Sequence, residues 1–129
     1  MVTATAKSVR IAPRKVGVVA ALVRGHNVAD AVTILQHTPR RSATAVKKVI
    51  ESAAANADNN HGFKPRSLYI KEISVSPGRR YKRYRPAAHG RALPYQLRTS
   101  HIRVVLDGEK KPVKKKPTNK ANATKKEAK

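Results

Sequence analysis

Between Pro77 and Leu106 the chain reads PGRRYKRYRPAAHGRALPYQLRTSHIRVVL. Eight cations fall there, Arg79, Arg80, Lys82, Arg83, Arg85, Arg91, Arg98 and Arg103, threaded with three of the four tyrosines, Tyr81, Tyr84 and Tyr95. A guanidinium presents a planar fork of donors that fits a phosphate and also stacks on flat rings. A tyrosine among such cations is a poor residue to leave in water and a good platform for an unpaired base. No Asp or Glu stands between Glu72 and Asp107 to neutralise the run. The chemistry on offer is recognition of a polyanion.

Bond-making chemistry is not indicated. Catalysis needs an acid, base or nucleophile converging on one place, whereas the seven acidic residues are scattered. No glycine-rich phosphate loop and no Ser/His/Asp set occurs, and the GHNVAD turn neither follows a strand nor repeats glycine as a dinucleotide site would. The five histidines, His26, His37, His61, His89 and His101, match no zinc spacing and have no cysteine beside them. No catalytic residue, metal site or cofactor is expected. His89 and His101 are the two histidines best placed to touch a partner.

The whole chain carries the same bias. Its 129 residues hold 29 Lys and Arg against 7 Asp and Glu, a formal net charge of +22, which points to nucleic acid. An anionic membrane fits less well, and no apolar run is long enough to span a bilayer. The absence of cysteine suits a reducing compartment, and the N-terminus MVTATAKSVRIAPRK lacks the apolar stretch of a secretory signal. The cytosol is the default location.

The basic stretch lies between two strand-like runs, SLYIKEISVS and RTSHIRVVL, a pattern for a long β-hairpin. Each arm of about ten residues reaches roughly 30 Å at about 3.3 Å per residue. Pro86, Ala87, Ala88 and Gly90 let the backbone near the tip approach a surface closely. Ahead of it, Thr3 to Ile11 alternates weakly and reads as a strand. Pro13 opens a helix with Val16, Val19, Ala20 and Val23 on one face and Gly25 as its stop. A shorter helix is expected from Val28 to about Gln36, with Ala31, Ile34 and Leu35 inward. Thr38-Pro39 reads as an N-cap followed by proline at the first helical position. From there Ala43, Val46, Ile50, Ala53 and Ala57 form one apolar stripe, ended by Asp58-Asn59-Asn60-His61-Gly62.

In the strand Leu68–Ser76 the parity of the large apolar residues is mixed, and Pro77-Gly78 should break or bend the ladder. The returning strand, roughly Arg98 to Leu106, puts Ile102, Val104 and Leu106 on one face. The expected fold is α+β, with three helices packed on a small three-stranded antiparallel sheet and one long extended basic β-hairpin. Residues 1–106 form a single globular domain with the hairpin protruding at about 77–100. Residues 107–129, with nine lysines in their last twenty-two positions and no aromatic, read as a disordered tail.

Residues from about Ser8 to Leu106 resemble the universal large-subunit ribosomal protein twenty-two family in its bacterial form. The matching stretches are APRKVGVVAALVRG, AVKKVIESAAANADNN and GRALPYQLRTSHIRVVL. The KKVIESAAANA run together with RTSHI and the following VV makes the resemblance specific, and it covers about three-quarters of the chain. It implies a non-catalytic protein of the cytoplasmic ribosome, bound to large-subunit ribosomal RNA beside neighbouring large-subunit proteins. Its globular part would lie on the outer face of the subunit. Its hairpin would run through RNA, bridging RNA domains during assembly, to a tip that lines the peptide exit tunnel and meets the nascent peptide. No membrane partner is implied.

By resemblance the RNA contacts are Arg10, Arg14 and Lys15 near the first helix, and Arg79, Arg80, Tyr81, Lys82, Arg83, Tyr84 and Arg91 in the hairpin. Arg98, Thr99, Ser100 and His101 continue them on the return arm. The tunnel-lining tip would be Arg85, Pro86, Ala87, Ala88, His89 and Gly90. Hairpin-tip changes in that family are associated with macrolide resistance. Two departures stand out. Leu93-Pro94-Tyr95 replaces a more charged strand, and Pro94, unable to donate to a ladder, is expected to make the return arm irregular. The lysine tail is also longer than in many bacterial members, and a tail-driven DNA-compacting or transcription-associated protein is the competing reading.

Overall fold

The alanine stripe of the third helix lies at the centre of the fold. In a computed structural model describing residues 1–110, the chain runs β1 (Val2–Val9), α1 (Pro13–Val23), α2 (Val28–His37), α3 (Arg41–His61), β2 (Tyr69–Pro86) and β3 (Ala92–Asp107). The strands form one antiparallel sheet in the order β1-β3-β2. α3 packs on β1 and β3, α1 packs on β2, and α2 leans on α3. Ala43, Val46, Ile50, Ala53 and Ala57 are all buried, as the stripe requires. They face Ile102, Val104 and Leu106 of the sheet within one apolar cluster, completed by Val16, Val19 and Val23 of α1. Alanines on the helix let it sit close to the branched side chains of the sheet.

The start of α3 differs from the sequence expectation. Thr38 does not cap it; the helix begins at Arg41 after an extended Arg40, φ −130° and ψ 133°. Pro39 disfavours helical dihedrals at the residue before it, and the Thr38 hydroxyl donates backwards to the Ile34 carbonyl of α2 at 2.7 Å. At the other end Gly62 is left-handed, φ 63°, and the Phe63 N–H donates to the Ala57 carbonyl at 3.0 Å, closing the helix as a glycine C-terminal cap does.

Bulges account for the mixed parity of β2. Ile70 pairs with Leu106 and Glu72 with Val105, so Lys71 is an extra residue. One inserted residue flips the faces of everything after it, which brings Leu68, Ile70 and Ile73 all into the core. A second bulge sits just after Pro77, at Gly78-Arg79, which together oppose Thr99 between the pairs Pro77↔Ser100 and Arg80↔Arg98. The ladder bends there without ending, and β2 continues to Pro86. Pro94 does not disturb the return arm. Pairing runs without a shift from Arg80↔Arg98 through Tyr84↔Pro94 to Pro86↔Ala92. β1 stops opposite Ser100, so beyond it β3 has one neighbour, and a proline is tolerated where the backbone N–H would face away from the ladder.

The tail expected from Asp107 lies, from residue 111 on, outside the described residues. Asp107 itself ends β3, Lys64 N–H donates to the Glu109 carbonyl at 2.9 Å, and Lys110 bridges to Phe63.

Candidate nucleic-acid interface

Three irregularities meet where the hairpin leaves the sheet. β1 shifts register between Ala6 and Val9, and Ser8, at φ 57°, donates its N–H to His101 Nδ1 at 2.9 Å. Across β3, the Thr99 hydroxyl donates to the Arg79 carbonyl in the second bulge at 2.7 Å. Gly78 has no space for a side chain there: a Cβ would lie 2.5 Å from Thr99 Oγ1 and 3.3 Å from the His101 ring. Thr99 and Ser100 are 2% and 0% exposed. Buried at this joint, the two residues hold the base of the hairpin, and Thr99 also lines a cleft beside the stem. His101 is half-buried and occupied with Ser8.

Past this joint the hairpin carries no apolar cover. Arg79, Arg80, Lys82, Arg83, Tyr84 and Arg85 are exposed, as are Arg91 and Arg98, while Tyr81 and Tyr95 are half-buried. Cross-strand pairing sorts these side chains onto two faces. One holds Tyr81, Arg83 and Arg85 opposite Leu97, Tyr95 and Leu93, and the other holds Arg80, Lys82 and Tyr84 opposite Arg98, Gln96 and Pro94. The Arg85 guanidinium lies 4.9 Å from the Tyr95 ring centroid and that of Arg79 lies 5.6 Å from Tyr81, attractive contacts that keep the rings beside the charge. Arg80 stands directly opposite Arg98, a like-charge pair that costs stability in an isolated sheet and is relieved by an anion.

The acids lie elsewhere. The ion pairs among the described residues are Met1 N-terminus–Asp107, Lys71–Asp107, Lys64–Glu109 and Lys47–Glu51, none of them on the hairpin. The Gly108 N–H, with the N-terminal ammonium and Lys71 adding to it, holds the Asp107 carboxyl below its ordinary 3.8 against a partial desolvation. The hairpin cations are left without such partners among the described residues.

At the tip the turn is closed by the Ala87 N–H donating to the Arg91 carbonyl at 2.8 Å. Ala88–Gly90 forms a short turn with His89 at φ 58° and Gly90 at φ 69°. Pro86, Ala88, His89 and Gly90 are exposed, so the end of the hairpin is narrow and small.

Arg10 and Lys15 reach a cleft of about 450 Å³ together with Arg40, Arg41 and Ser42. Arg14 is exposed on α1 but does not line it. Arg10 and Arg41 also line a second cleft of about 390 Å³ against the stem, with Tyr81, Arg83, Leu97, Arg98 and Thr99. The fold thus joins the loop after β1, the start of α3 and the hairpin stem into one cationic surface.

Residues 4–107 match the family described as ribosomal protein L22p/L17e. The chain belongs to that family. Among its relatives is the large ribosomal subunit protein uL22 of Clostridioides difficile, 50% identical over 107 residues, 83% of this chain and 96% of that one. The uL22 of Oceanobacillus iheyensis is likewise 50% identical over 107 residues, covering 83% and 95%, and that of Lactobacillus gasseri is 48% identical over 103 residues, covering 80% and 88%. As a family member the chain is a structural protein of the large ribosomal subunit, in the cytoplasmic ribosome, and not an enzyme.

Arg40, Arg41 and Leu97 of this family member were not legible as site residues. A signal for the first two existed. Cations in the first turn of a helix oppose the helix dipole, so Arg40-Arg41 at the start of α3 breaks a local rule that a bound anion would restore.

Proposed function

We propose that the chain binds large-subunit ribosomal RNA through the hairpin stem and the cationic surface at its base. In doing so it bridges RNA domains during assembly and carries the tip, Arg85 to Gly90, to the wall of the peptide exit tunnel, where the nascent peptide passes. The observation that carries this is a paired β ladder running about ten residues past the last core contact with arginine, lysine and tyrosine along it. Such a ladder has no apolar core of its own and is stabilised by a partner that supplies negative charge on both faces. The small exposed tip supports the tunnel assignment, because only a narrow turn fits a wall beside a moving chain.

The test is sucrose-gradient sedimentation of cell extract. The full chain and a chain lacking residues 111–129 should both sediment with the large subunit. A chain with residues 79–98 replaced by an Asn-Gly turn, which closes the remaining strands into a short hairpin, should stay at the top of the gradient. Loss of association on removing the tail, with the hairpin dispensable, would favour a tail-driven nucleic-acid binder instead.

A further inference from the structure

We infer that the cleft between the hairpin stem and the start of α3 is a seat for one unpaired nucleotide, its base against Tyr81 and Leu97 and its phosphates held by Arg10, Arg41 and Arg83. The inference rests on the RNA-binding reading and adds to it a defined site and the kind of RNA that fills it. Two observations single the cleft out from the rest of the basic surface.

The first is its mixed lining. Tyr81 and Leu97 pair directly across the ladder, and Leu97 is 51% exposed. An exposed leucine beside a tyrosine is a flat apolar floor, and no phosphate has use for one. A nucleobase does, because stacking on such a floor is nearly independent of sequence. Arg79 lies over the Tyr81 ring, and the hydrogen bond between Thr99 and the Arg79 backbone fixes the strand that carries both. The platform is therefore set before RNA arrives.

The second is its size and surround. At about 390 Å³ the cleft falls within the range of small-ligand sites, about 300–1,000 Å³. A base in a duplex is stacked inward and has no free face to offer. Arg10, Arg41 and Arg83, from three separate segments, ring the floor, with no acidic partner in the ion pairs among the described residues. The neighbouring cleft shares Arg10 and Arg41 and adds Lys15 and Arg40, so the strand on one side of the seated nucleotide has a charged path along the N-terminus of α3.

The test compares binding of the full chain to a 12-mer oligoadenylate and to an abasic oligomer with the same number of phosphates. Tyr81→Ala should weaken oligoadenylate binding about tenfold, the loss of one stacked base, and leave the abasic oligomer within twofold. Tyr81→Phe should restore the wild-type value. Arg41→Ala should weaken both oligomers, since it acts on phosphate. In Tyr81→Ala/Arg41→Ala the selective effect of Tyr81 should shrink, because the base is no longer delivered to the cleft. A Tyr81→Ala effect equal on both oligomers, absent on both, or unchanged by Arg41→Ala would overturn the site while leaving RNA binding intact. Failure of the wild-type chain to bind either oligomer would overturn the RNA-binding reading itself, and the site with it.

Discussion

Gly78→Ala is the sharpest perturbation of the joint that aims the hairpin. Gly78 is not among the positive-φ glycines, so alanine costs nothing in backbone conformation, and the effect is one of space. The new Cβ would lie 2.5 Å from Thr99 Oγ1, where ordinary contact begins at 3.4 Å. Something must move by about 0.9 Å. Thr99 is buried and β-branched, so it has few rotamers to move into, and its hydroxyl is held by the Arg79 carbonyl at 2.7 Å. Losing that bond costs about 1 kcal/mol, and overpacking adds about 1–3 kcal/mol. The expected total is about 2–4 kcal/mol, a large part of the stability of a domain this size. Urea unfolding followed by circular dichroism would read it as a lower midpoint at unchanged slope. Gly17→Ala, on α1 with nothing within 4 Å of the new Cβ, is the control and should stabilise by about 0.5–1 kcal/mol. Thr99→Ala removes the clashing oxygen, so Gly78→Ala/Thr99→Ala should cost less than the sum of its parts by at least about 1 kcal/mol. A Gly78→Ala midpoint equal to wild type, or strict additivity in the pair, would refute the steric account.

Three further outcomes are expected. Ser100→Ala should raise stability by about 1 kcal/mol in the same unfolding assay, because the buried Ser100 hydroxyl has no partner among the described residues and leaving it unsatisfied carries a desolvation cost. Asp107 has a folded pKa below its ordinary 3.8, so its contribution is present above that value and lost as pH falls through the lower folded one; Asp107→Asn should lower stability at neutral pH, flatten the acid limb below about pH 4, and approach the wild-type value at the acid end. Deleting Arg85 to Ala88 should change macrolide sensitivity or nascent-chain stalling in cells while large subunits still assemble on gradients.

Much of this was legible in the sequence, for physical reasons that also explain the gaps. The α3 stripe was readable because a helix buried on one face must repeat its apolar residues at helical spacing, and Ala43 to Ala57 does so. The basic hairpin was readable because unopposed charge at that density has no use inside a fold. The face of β2 was not, since the bulge at Lys71 is set by tertiary pairing with β3 and leaves no turn signal. The Thr38-Pro39 signal was misleading because two uses of a threonine hydroxyl compete, and back-bonding to Ile34 won. Thr99 and Ser100 sit beside exposed arginines in sequence but under the sheet joint in space. The cleft was invisible altogether, because it joins Arg10, Arg41 and Tyr81 across three segments that only the fold brings together.

The central claim is that the cations of the hairpin carry binding to ribosomal RNA, and a salt titration tests it most directly. The eight cations between Arg79 and Arg103, at a slope of about −0.7 per phosphate contact, predict that log affinity of the full chain for large-subunit ribosomal RNA falls against log salt with a slope of about −5 to −6. Changing Arg79, Arg80, Lys82 and Arg83 together to glutamine should make that slope shallower by about 3. A slope near zero for the wild-type chain, or one unmoved by the four substitutions, would contradict the account.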